Sequence, residues 1–299
     1  MQKKRLLPVQ AHYTFMIIPG LLWIIFFNMV PLGGLIMAFQ NFNPGLGLWK
    51  SRWVGLDNFE YLFSLGDARR VIVNTIIIAC WKVVLNLLIP LIFALLLNEV
   101  RNLRYKKFVQ TVVYLPHFLS WVILSSVVLN IFGRTGIINQ ITGLFGADPL
   151  IWFSEANWFR QLVVGTDVWK ECGFNAVIFL AALTGINPNL YEAAAIDGCS
   201  KFKSVFYVTI PGIAGTIVLL GVLGLSNVLN AGFDQVFNLY NPMVYTTGDI
   251  LDTWVYRIGL VNLQFSLATT AGLFKSVISF FMIVLSYWGA YKFADYRIF

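Results

Sequence analysis

The chain has 299 residues, of which 58% are hydrophobic and only 12% are charged, and its formal net charge is +7 at pH 7. A soluble domain carries about 25% charged residues, so this composition excludes an ordinary soluble protein. No Asp, Glu, Lys or Arg occurs between Tyr13 and Trp49 or between Ser204 and Phe233. Because roughly 20 apolar residues cross the hydrocarbon core of a bilayer, we expect an integral membrane protein.

Six apolar segments, taken in chain order, predict six transmembrane helices. A helix is expected for each segment because a helix satisfies its own backbone hydrogen bonds in lipid. Pro31, Pro90 and Pro116 lie inside these segments and predict kinks. The predicted spans cover residues 13–39, 71–98, 108–132, 161–185, 204–233 and 263–290. The sequence therefore predicts an all-α membrane protein with a single transmembrane domain over residues 1–299.

The distribution of basic residues predicts the orientation of these spans. The N-terminus, residues 99–107, residues 186–203 and the tail from residue 291 together hold eleven basic and four acidic residues, and the rest of the chain holds ten of each. Loops rich in Lys and Arg face the cytoplasm, so both termini are expected there. Anionic lipid headgroups account for the positive charge, and no nucleic-acid partner is implied.

Three outer loops follow from this orientation, at residues 40–70, 133–160 and 234–262, and they are rich in aromatic residues. Most of these aromatics fit the belt of Trp and Tyr found at membrane interfaces. The alternative is a face that receives an external partner or stacks on sugar rings. The two histidines, His12 and His117, are too isolated in the sequence to suggest a metal site.

Polar side chains inside predicted spans are costly in lipid and are often functional. In the second span, Lys82 would cost about 2.5–3.5 kcal/mol at the bilayer centre, with Asp167 or Glu171 as a possible partner. Alternatively, the second span begins later and Lys82 extends outward to the interface.

The fourth and fifth spans supply the candidates for a solute pathway. Trp169 and Asn175 follow the start of the fourth span, where Trp169 is suited to stack on a sugar, although the neighbouring charges favour a salt-bridged set at the outer interface. In the fifth span, Asn227 and Asn230 share one helix face, and Ser226 precedes them. Their amides and hydroxyl suit sugar hydroxyls or, equally, hydrogen bonds between helices.

A short polar segment at residues 187–211 lies between two apolar spans and predicts two cytoplasmic helices. Pro188 suits the first turn of a helix, and Asn189 with Glu192 resembles a capping box. Gly198 fits the left-handed position that ends a helix, and Ser200 is placed to cap the next one.

Asp197 breaks a local rule, because a negative charge is unfavourable at the C-terminal end of a helix. Such exceptions often mark function. Alternatively, Asp197 caps the following turn or pairs with Lys201. Small residues let the first helix sit deep in a groove, where Glu192 and Asp197 would meet basic residues of another protein.

The sequence Glu192-Ala193-Ala194-Ala195-Ile196-Asp197-Gly198-Cys199, with Phe206 and Ile210-Pro211 downstream, resembles the EAA motif of permease subunits in bacterial ATP-binding-cassette (ABC) importers. Cys199 replaces the usual Ala, and Ile210 the usual Leu. The resemblance implies that the segment couples to an ATPase through Glu192, Ala193, Ala194, Asp197, Gly198 and Phe206.

Further motifs resemble carbohydrate-uptake permeases, and the best match is the LplB-like branch for oligosaccharides and polysaccharides. These motifs are Pro19-Gly20, Ala38-Phe39, Phe42-Asn43-Pro44, Trp53-Val54-Gly55-Leu56-Asp57-Asn58-Phe59, Asn98-Glu99, Tyr114-Leu115-Pro116-His117-Phe118 and Leu190-Tyr191-Glu192. The resemblance implies a six-helix type I importer fold in the bacterial cell membrane. It also implies a second, homologous permease, two ATPase subunits and an external solute-binding protein that delivers an oligosaccharide.

The chain contains no G-x-x-x-x-G-K-[ST] phosphate loop, so ATP and Mg²⁺ are expected in partner subunits, with no catalytic role for this chain. An importer of the same architecture for peptides or another solute remains an alternative. An ion-coupled secondary transporter would need buried carboxylates near mid-membrane and inverted repeats. An intramembrane hydrolase would need more than His117 as a base.

Overall fold

The computed structural model describes residues 8–226 and 228–294, and these residues are mostly helical. Among the described residues, three helices are each long and apolar enough to cross a membrane: Tyr13–Phe39, Gly66–Asn98 and Phe265–Gly289. Three further apolar helix pairs are bent at a short break, and counting each as one span gives six. The expected all-α membrane architecture is confirmed.

Within the described residues the helical segments, including short 3₁₀ and π turns, have the following bounds. They are Pro8–Ile24, Ile25–Met29, Val30–Leu32, Gly33–Phe39, Gly47–Lys50, Asp57–Ser64, Gly66–Asn98, Leu103–Tyr114, Leu115–Phe118, Trp121–Ile131, Ile137–Gly143, Trp152–Ser154, Ala156–Thr184, Pro188–Ile196, Lys201–Ser204, Val205–Thr209, Ile210–Gly212, Ala214–Ser226, Phe233–Leu239, Pro242–Val244, Tyr245–Gly248, Leu251–Tyr256, Arg257–Val261 and Phe265–Ala294. A two-residue antiparallel pair, Gln40–Asn41 with Arg52–Trp53, completes the secondary structure.

One compact unit comprises residues 1–65 and 255–274. Every residue from Tyr13 to Gly33 is exposed in it. Below this helix, Asn58 Nδ2 donates to the carbonyl oxygens of Ala38 and Gln40, each at 2.9 Å. These bonds tie the start of the helix Asp57–Ser64 to the first strand of the pair.

A second compact unit comprises residues 66–254 and 275–299, and its core forms where the helix Gly66–Asn98 packs along the helix Ala156–Thr184. One end of this core is filled by residues such as Phe159 and Ile250, and the other by residues such as Phe179 and Ile213, all fully or almost fully buried. Burial of these side chains holds the two long helices side by side. Every candidate functional residue described below lies in this unit.

The third and fifth spans are broken, whereas each was predicted as a single span. In the third, the helix Leu103–Phe118 meets the helix Trp121–Ile131 at 108°. Pro116 lies just before the break, where its ring removes a backbone donor, and the side chain of Ser120 accepts from Ile123 N to start the new helix. Pro90, in contrast, lies inside an uninterrupted helix.

In the fifth span, the helix Lys201–Gly212 meets the helix Ala214–Leu225 at 65°. The predicted span of 204–233 is also too long, because the helix ends at Ser226. The described residues 228–232 are not helical, and a new short helix begins at Phe233. The prediction failed because an uncharged apolar run carries no mark of where its backbone leaves the helix.

Candidate functional site

The segment 187–211 forms the two predicted helices, with one correction at its start. Asn187, not Asn189, is the N-cap: its side-chain oxygen accepts from Asn189 N at 3.0 Å, and Pro188 follows as the first helical residue. The predicted capping box between Asn189 and Glu192 is therefore wrong. Glu192 lies in the second turn, too far along the helix to cap its start.

The helix Pro188–Ile196 ends in a Schellman motif, as the sequence predicted from Gly198. Gly198 has φ +73°, and the backbone N–H groups of Gly198 and Cys199 donate to the carbonyls of Ala195 at 3.1 Å and Ala194 at 2.9 Å. These two bonds satisfy carbonyls that the helix end would leave free. The side chain of Ser200 then accepts from Lys203 N and starts the next helix.

The helix Pro188–Ile196 buries none of its residues in this chain. Glu192, Ala193 and Asp197 are exposed, and Ala194 is half-buried. Among the described residues neither carboxylate of this helix makes a side-chain hydrogen bond or an ion pair. Asp197 therefore neither caps the following turn nor pairs with Lys201, whose ammonium lies 3.5 Å from Glu99 Oε2 instead.

Apolar side chains border these carboxylates. Ile196 is 86% exposed and Phe202 is 75% exposed, and the ring of Phe202 meets that of Phe206 edge to face at 5.2 Å. A small-residue helix flanked by exposed aromatics and two free carboxylates has the character of an interface core with a polar rim.

The exposed helix is fastened to the fifth span. Tyr191 Oη lies 3.0 Å from Oγ1 of Thr209, which is buried. This hydrogen bond joins the helix Pro188–Ile196 to the π-helical turn Val205–Thr209. The hydrogen bond therefore connects the exposed helix to the base of the fifth span.

A polar cluster occupies the interior of the second unit. Lys82 stands at the midpoint of the helix Gly66–Asn98 and is only 6% exposed. Its ammonium donates to Asp167 Oδ1 at 3.0 Å, to the carbonyl of Ala231 at 2.8 Å and to Gln235 Oε1. The suggested partner Asp167 is confirmed, and the outward-extending alternative for Lys82 is wrong.

Asn86 extends this cluster by one helical turn. Its Nδ2 donates to Asp167 Oδ2 at 2.9 Å, so Asp167 is held by both Lys82 and Asn86. The helix that carries Asp167 begins at Ala156, eleven residues earlier, which places these charges within the helix instead of at the outer end expected from the sequence.

A second cluster lies on the same helix as Asp167. Glu171 Oε2 is 2.7 Å from His117 Nδ1, and Glu171 Oε1 is 2.9 Å from Lys170 Nζ. Lys170 also donates to the carbonyl of His117 at 2.9 Å, next to the break of the third span. The ring of His117 stacks on Phe174 at 4.1 Å.

Lys82 and Asp167 of the first cluster and Glu171 of the second line one cavity of about 340 Å³. Asn175 and Asn230, two of the candidates from the sequence, also line it, together with Asn86 and Glu171. Asn230 lies in the non-helical segment after the fifth span, so the predicted helix face shared with Asn227 is wrong. Trp169 lines a different, largely apolar hollow with Phe132 and Leu162.

Two candidates have no described side chain. Asn227 lies outside the described residues, and Ser226 is the last residue of the helix Ala214–Ser226, with its side chain likewise outside the description. Sequence reasoning missed Asn86 and Gln235. Asn86 was detectable, since it follows Lys82 by one turn on the same helix face, but Gln235 fell in a predicted outer loop and carried no signal.

Comparison with known proteins identifies the family. Residues 86–293 match the family described as "binding-protein-dependent transport system inner membrane component". The protein LplB of Bacillus subtilis strain 168 is 39% identical over 285 residues, covering 95% of this chain and 90% of that protein. The polygalacturonan/rhamnogalacturonan transport system permease protein YteP of the same organism is 38% identical, with 100% and 94% coverage.

Solved structures agree with these sequence matches. A chain in the crystal structure of a bacterial alginate ABC transporter, in complex with an alginate pentasaccharide-bound periplasmic protein, superposes with a TM-score of 0.89 at 32% identity, and the match covers 97% of each chain. A second alginate importer structure gives a TM-score of 0.85 at 34% identity, covering 92% of this chain and 93% of that chain. The chain therefore belongs to the family of binding-protein-dependent transport system inner membrane components, and it is a permease subunit of an ABC importer.

Proposed function

We propose that this chain is one of two homologous permease subunits in an ATP-driven importer that carries an oligosaccharide across the bacterial cell membrane. An external solute-binding protein delivers the oligosaccharide, and two cytoplasmic ATPase subunits bind ATP and Mg²⁺. The observation that carries the proposal is the exposed helix Pro188–Ile196 with its unpaired carboxylates Glu192 and Asp197.

This helix has the properties of a docking element for the ATPase. Two exposed carboxylates without partners in the described part of the chain favour contact with basic residues of another protein. Ala193 and Ala194 keep the helix slim, so it fits a cleft. Closure of the ATPase dimer would then push the segment 187–211, and the Tyr191–Thr209 hydrogen bond would pass the motion to the fifth span.

The orientation follows from charge. The segment 186–203 belongs to the four segments that hold the excess of basic residues, and this excess favours the cytoplasmic side for the segment and for both termini. An ATPase in the cytoplasm can therefore reach it. The exposed first span, Tyr13 to Gly33, is suited to contact with lipid and with a second permease subunit.

The cavity supports an oligosaccharide as the solute. Asn175 and Asn230 offer amides that both donate and accept hydrogen bonds, as sugar hydroxyls require. The names of the relatives point the same way: YteP is described as a permease for polygalacturonan and rhamnogalacturonan, and the solved transporter imports the polysaccharide alginate. Alternating access of the cavity to the two sides would move the solute inward.

Reconstitution of the complete transporter in proteoliposomes tests this function. Uptake of oligosaccharides, with a peptide panel as the alternative cargo, is measured with and without ATP.

The variants Glu192→Lys and Asp197→Lys should weaken ATPase association and uncouple ATP hydrolysis from uptake, because charge reversal opposes docking. The control Asp148→Lys reverses an exposed carboxylate in a predicted outer loop and should leave ATPase association unchanged. A double variant of Glu192 and Asp197 with normal uptake would refute the docking role.

A further inference from the structure

The fifth span leaves the helical conformation inside the apolar part of the sequence. Its helix ends at Ser226, the described residues 228–232 are irregular, and the next helix starts at Phe233. Irregular backbone at membrane depth is tolerated only where the protein satisfies its polar groups or where it lines a cavity. The segment 228–232 meets the second condition, because Asn230 and Gly232 line the cavity of about 340 Å³.

The segment also meets the first condition, because the Lys82 ammonium donates a hydrogen bond to one of its backbone carbonyls. Of its three hydrogen bonds, one goes to the carbonyl of Ala231 at 2.8 Å, inside the irregular segment. Another goes to Gln235 Oε1, in the first turn of the following helix. The third goes to Asp167 at 3.0 Å. An ammonium has three donors, and all three are used here. Two bind the irregular segment and the helix that follows it, and the third binds Asp167 on the fourth span.

The fit around the ammonium is close. Gly232 has φ +92°, and a Cβ added there would lie 2.8 Å from Lys82 Nζ. Gln235, which is fully buried, donates in turn to the carbonyl of Val163 at 2.7 Å and to Thr166 Oγ1 at 2.9 Å. Gln235 therefore ties the end of the irregular segment to the fourth span at Val163 and Thr166.

We propose that Lys82 is a positioning residue of the translocation pathway, whose ammonium holds the irregular segment 228–232 in place so that Asn230 faces the cavity. Lys82 acts through the backbone of Ala231 and through Gln235. The positioning role rests on the proposed function in one respect, namely that the cavity carries the solute. Asn175, which reaches the same cavity from the helix Ala156–Thr184, does not depend on the ammonium for its backbone.

The test compares thiol accessibility at the two asparagines. Cys80, Cys172 and Cys199 are first replaced by Ser in the complete transporter, and Asn230→Cys or Asn175→Cys is then introduced. Each variant is labelled in the complete transporter with a small hydrophilic methanethiosulfonate reagent, and the labelling is quantified on this chain alone. Lys82→Met should change the labelling rate at position 230, relative to position 175, by about tenfold, the size expected when hydrogen bonds to a charged group are lost.

Two further variants make the result specific. Gly232→Ala keeps the charge of Lys82 but crowds its ammonium and strains the backbone at φ +92°, so it should shift the same ratio by displacing the segment itself. Lys275→Met removes another partly buried ion pair, the one between Lys275 and Asp252 at 2.6 Å, and should leave the ratio unchanged. If the ratio is unchanged in Lys82→Met, or if Lys275→Met shifts it equally, the positioning role is refuted.

Assembly and function are controlled separately. If Lys82→Met does not assemble, Lys82→Met with Asp167→Asn replaces it, because the double variant leaves no unpaired carboxylate and still removes the donor to Ala231. The same shift is then expected, and its absence refutes the proposal. Labelling is measured without ATP and without oligosaccharide, so failure of the proposed transport function would appear in uptake assays and not in this ratio.

Discussion

Lys82 Nζ lies 3.0 Å from Asp167 Oδ1, and this ion pair joins the second span to the fourth inside the protein. Lys82 is 8% exposed in its side chain and Asp167 is 15% exposed. Asn86 and the carbonyl of Ala231 complete the pair's hydrogen bonds. A charge pair in this position is expensive to bury unless each partner is satisfied, and here each one is.

Breaking this pair from either side should destabilise the protein. Asp167→Asn or Lys82→Met should each cost roughly 2–3 kcal/mol of unfolding free energy, below the full cost of breaking a fully buried pair because Asp167 lines the cavity. The double variant should cost much less than the two single changes together. Thermal unfolding in detergent measures the unfolding free energy of all three variants. The control is Asp148→Asn combined with Lys82→Met, whose two effects should add. Additive losses for Lys82 and Asp167 would contradict their coupling.

The start of the exposed helix gives a second prediction. Asn187→Ala removes the N-cap and should destabilise the first turn by about 1 kcal/mol, so that the backbone amide of Asn189 exchanges its hydrogen severalfold faster. Asn189→Ala is the matched control, since Asn189 supplies only its backbone N–H to the cap and Ala suits a helix. Hydrogen exchange measured by mass spectrometry separates the two variants. Equal effects would contradict Asn187 as the N-cap, and a larger effect of Asn189→Ala would return the cap to Asn189.

Contact between the third and fourth spans depends on a glycine. A Cβ on Gly173 would lie 2.3 Å from the carbonyl oxygen of Val113, so Gly173→Ala should lower the unfolding free energy by about 1–3 kcal/mol. Gly165, on the same helix, has nothing within 4 Å of an added Cβ. Gly165→Ala should therefore be neutral or slightly stabilising. Thermal unfolding distinguishes the pair, and a harmless Gly173→Ala would show that the two spans are farther apart.

The cavity predicts which polar residues affect uptake. Asn175→Ala and Asn230→Ala should each reduce oligosaccharide uptake severalfold, as expected when a hydrogen bond worth about 1 kcal/mol is lost, while ATPase association stays normal. Trp169→Ala is the comparison, because Trp169 lines another hollow and should affect uptake less. Initial uptake rates over a range of concentrations measure this. A dominant effect of Trp169→Ala would move the pathway to that hollow.

Local features of the segment 187–211 were predictable because they follow from neighbours in the sequence. Pro188, Gly198 and Ser200 each take the role that their residue type favours. The N-cap was misplaced by two residues, since Asn187 and Asn189 both suit that position and only the backbone geometry decides between them.

The cavity around Lys82 was less predictable because it depends on contacts between distant parts of the chain. An isolated Lys82 in an apolar run requires a partner, and Asp167 was one of two named. The break of the fifth span, however, depends on an ammonium 149 residues away in the sequence that bonds the carbonyl of Ala231. No local pattern encodes such a contact, and Asn230 was therefore assigned to a helix that ends before it.

Photocrosslinking from position 192 in the assembled transporter tests the docking role of the exposed helix most directly. A photoreactive amino acid replaces Glu192 on the helix Pro188–Ile196, and another replaces Asp148 as the outer-loop control. We expect an adduct with the ATPase subunit from position 192 and none with it from position 148. An adduct of position 192 with the solute-binding protein, or labelling of this position by an impermeant reagent from outside, would contradict the proposed coupling.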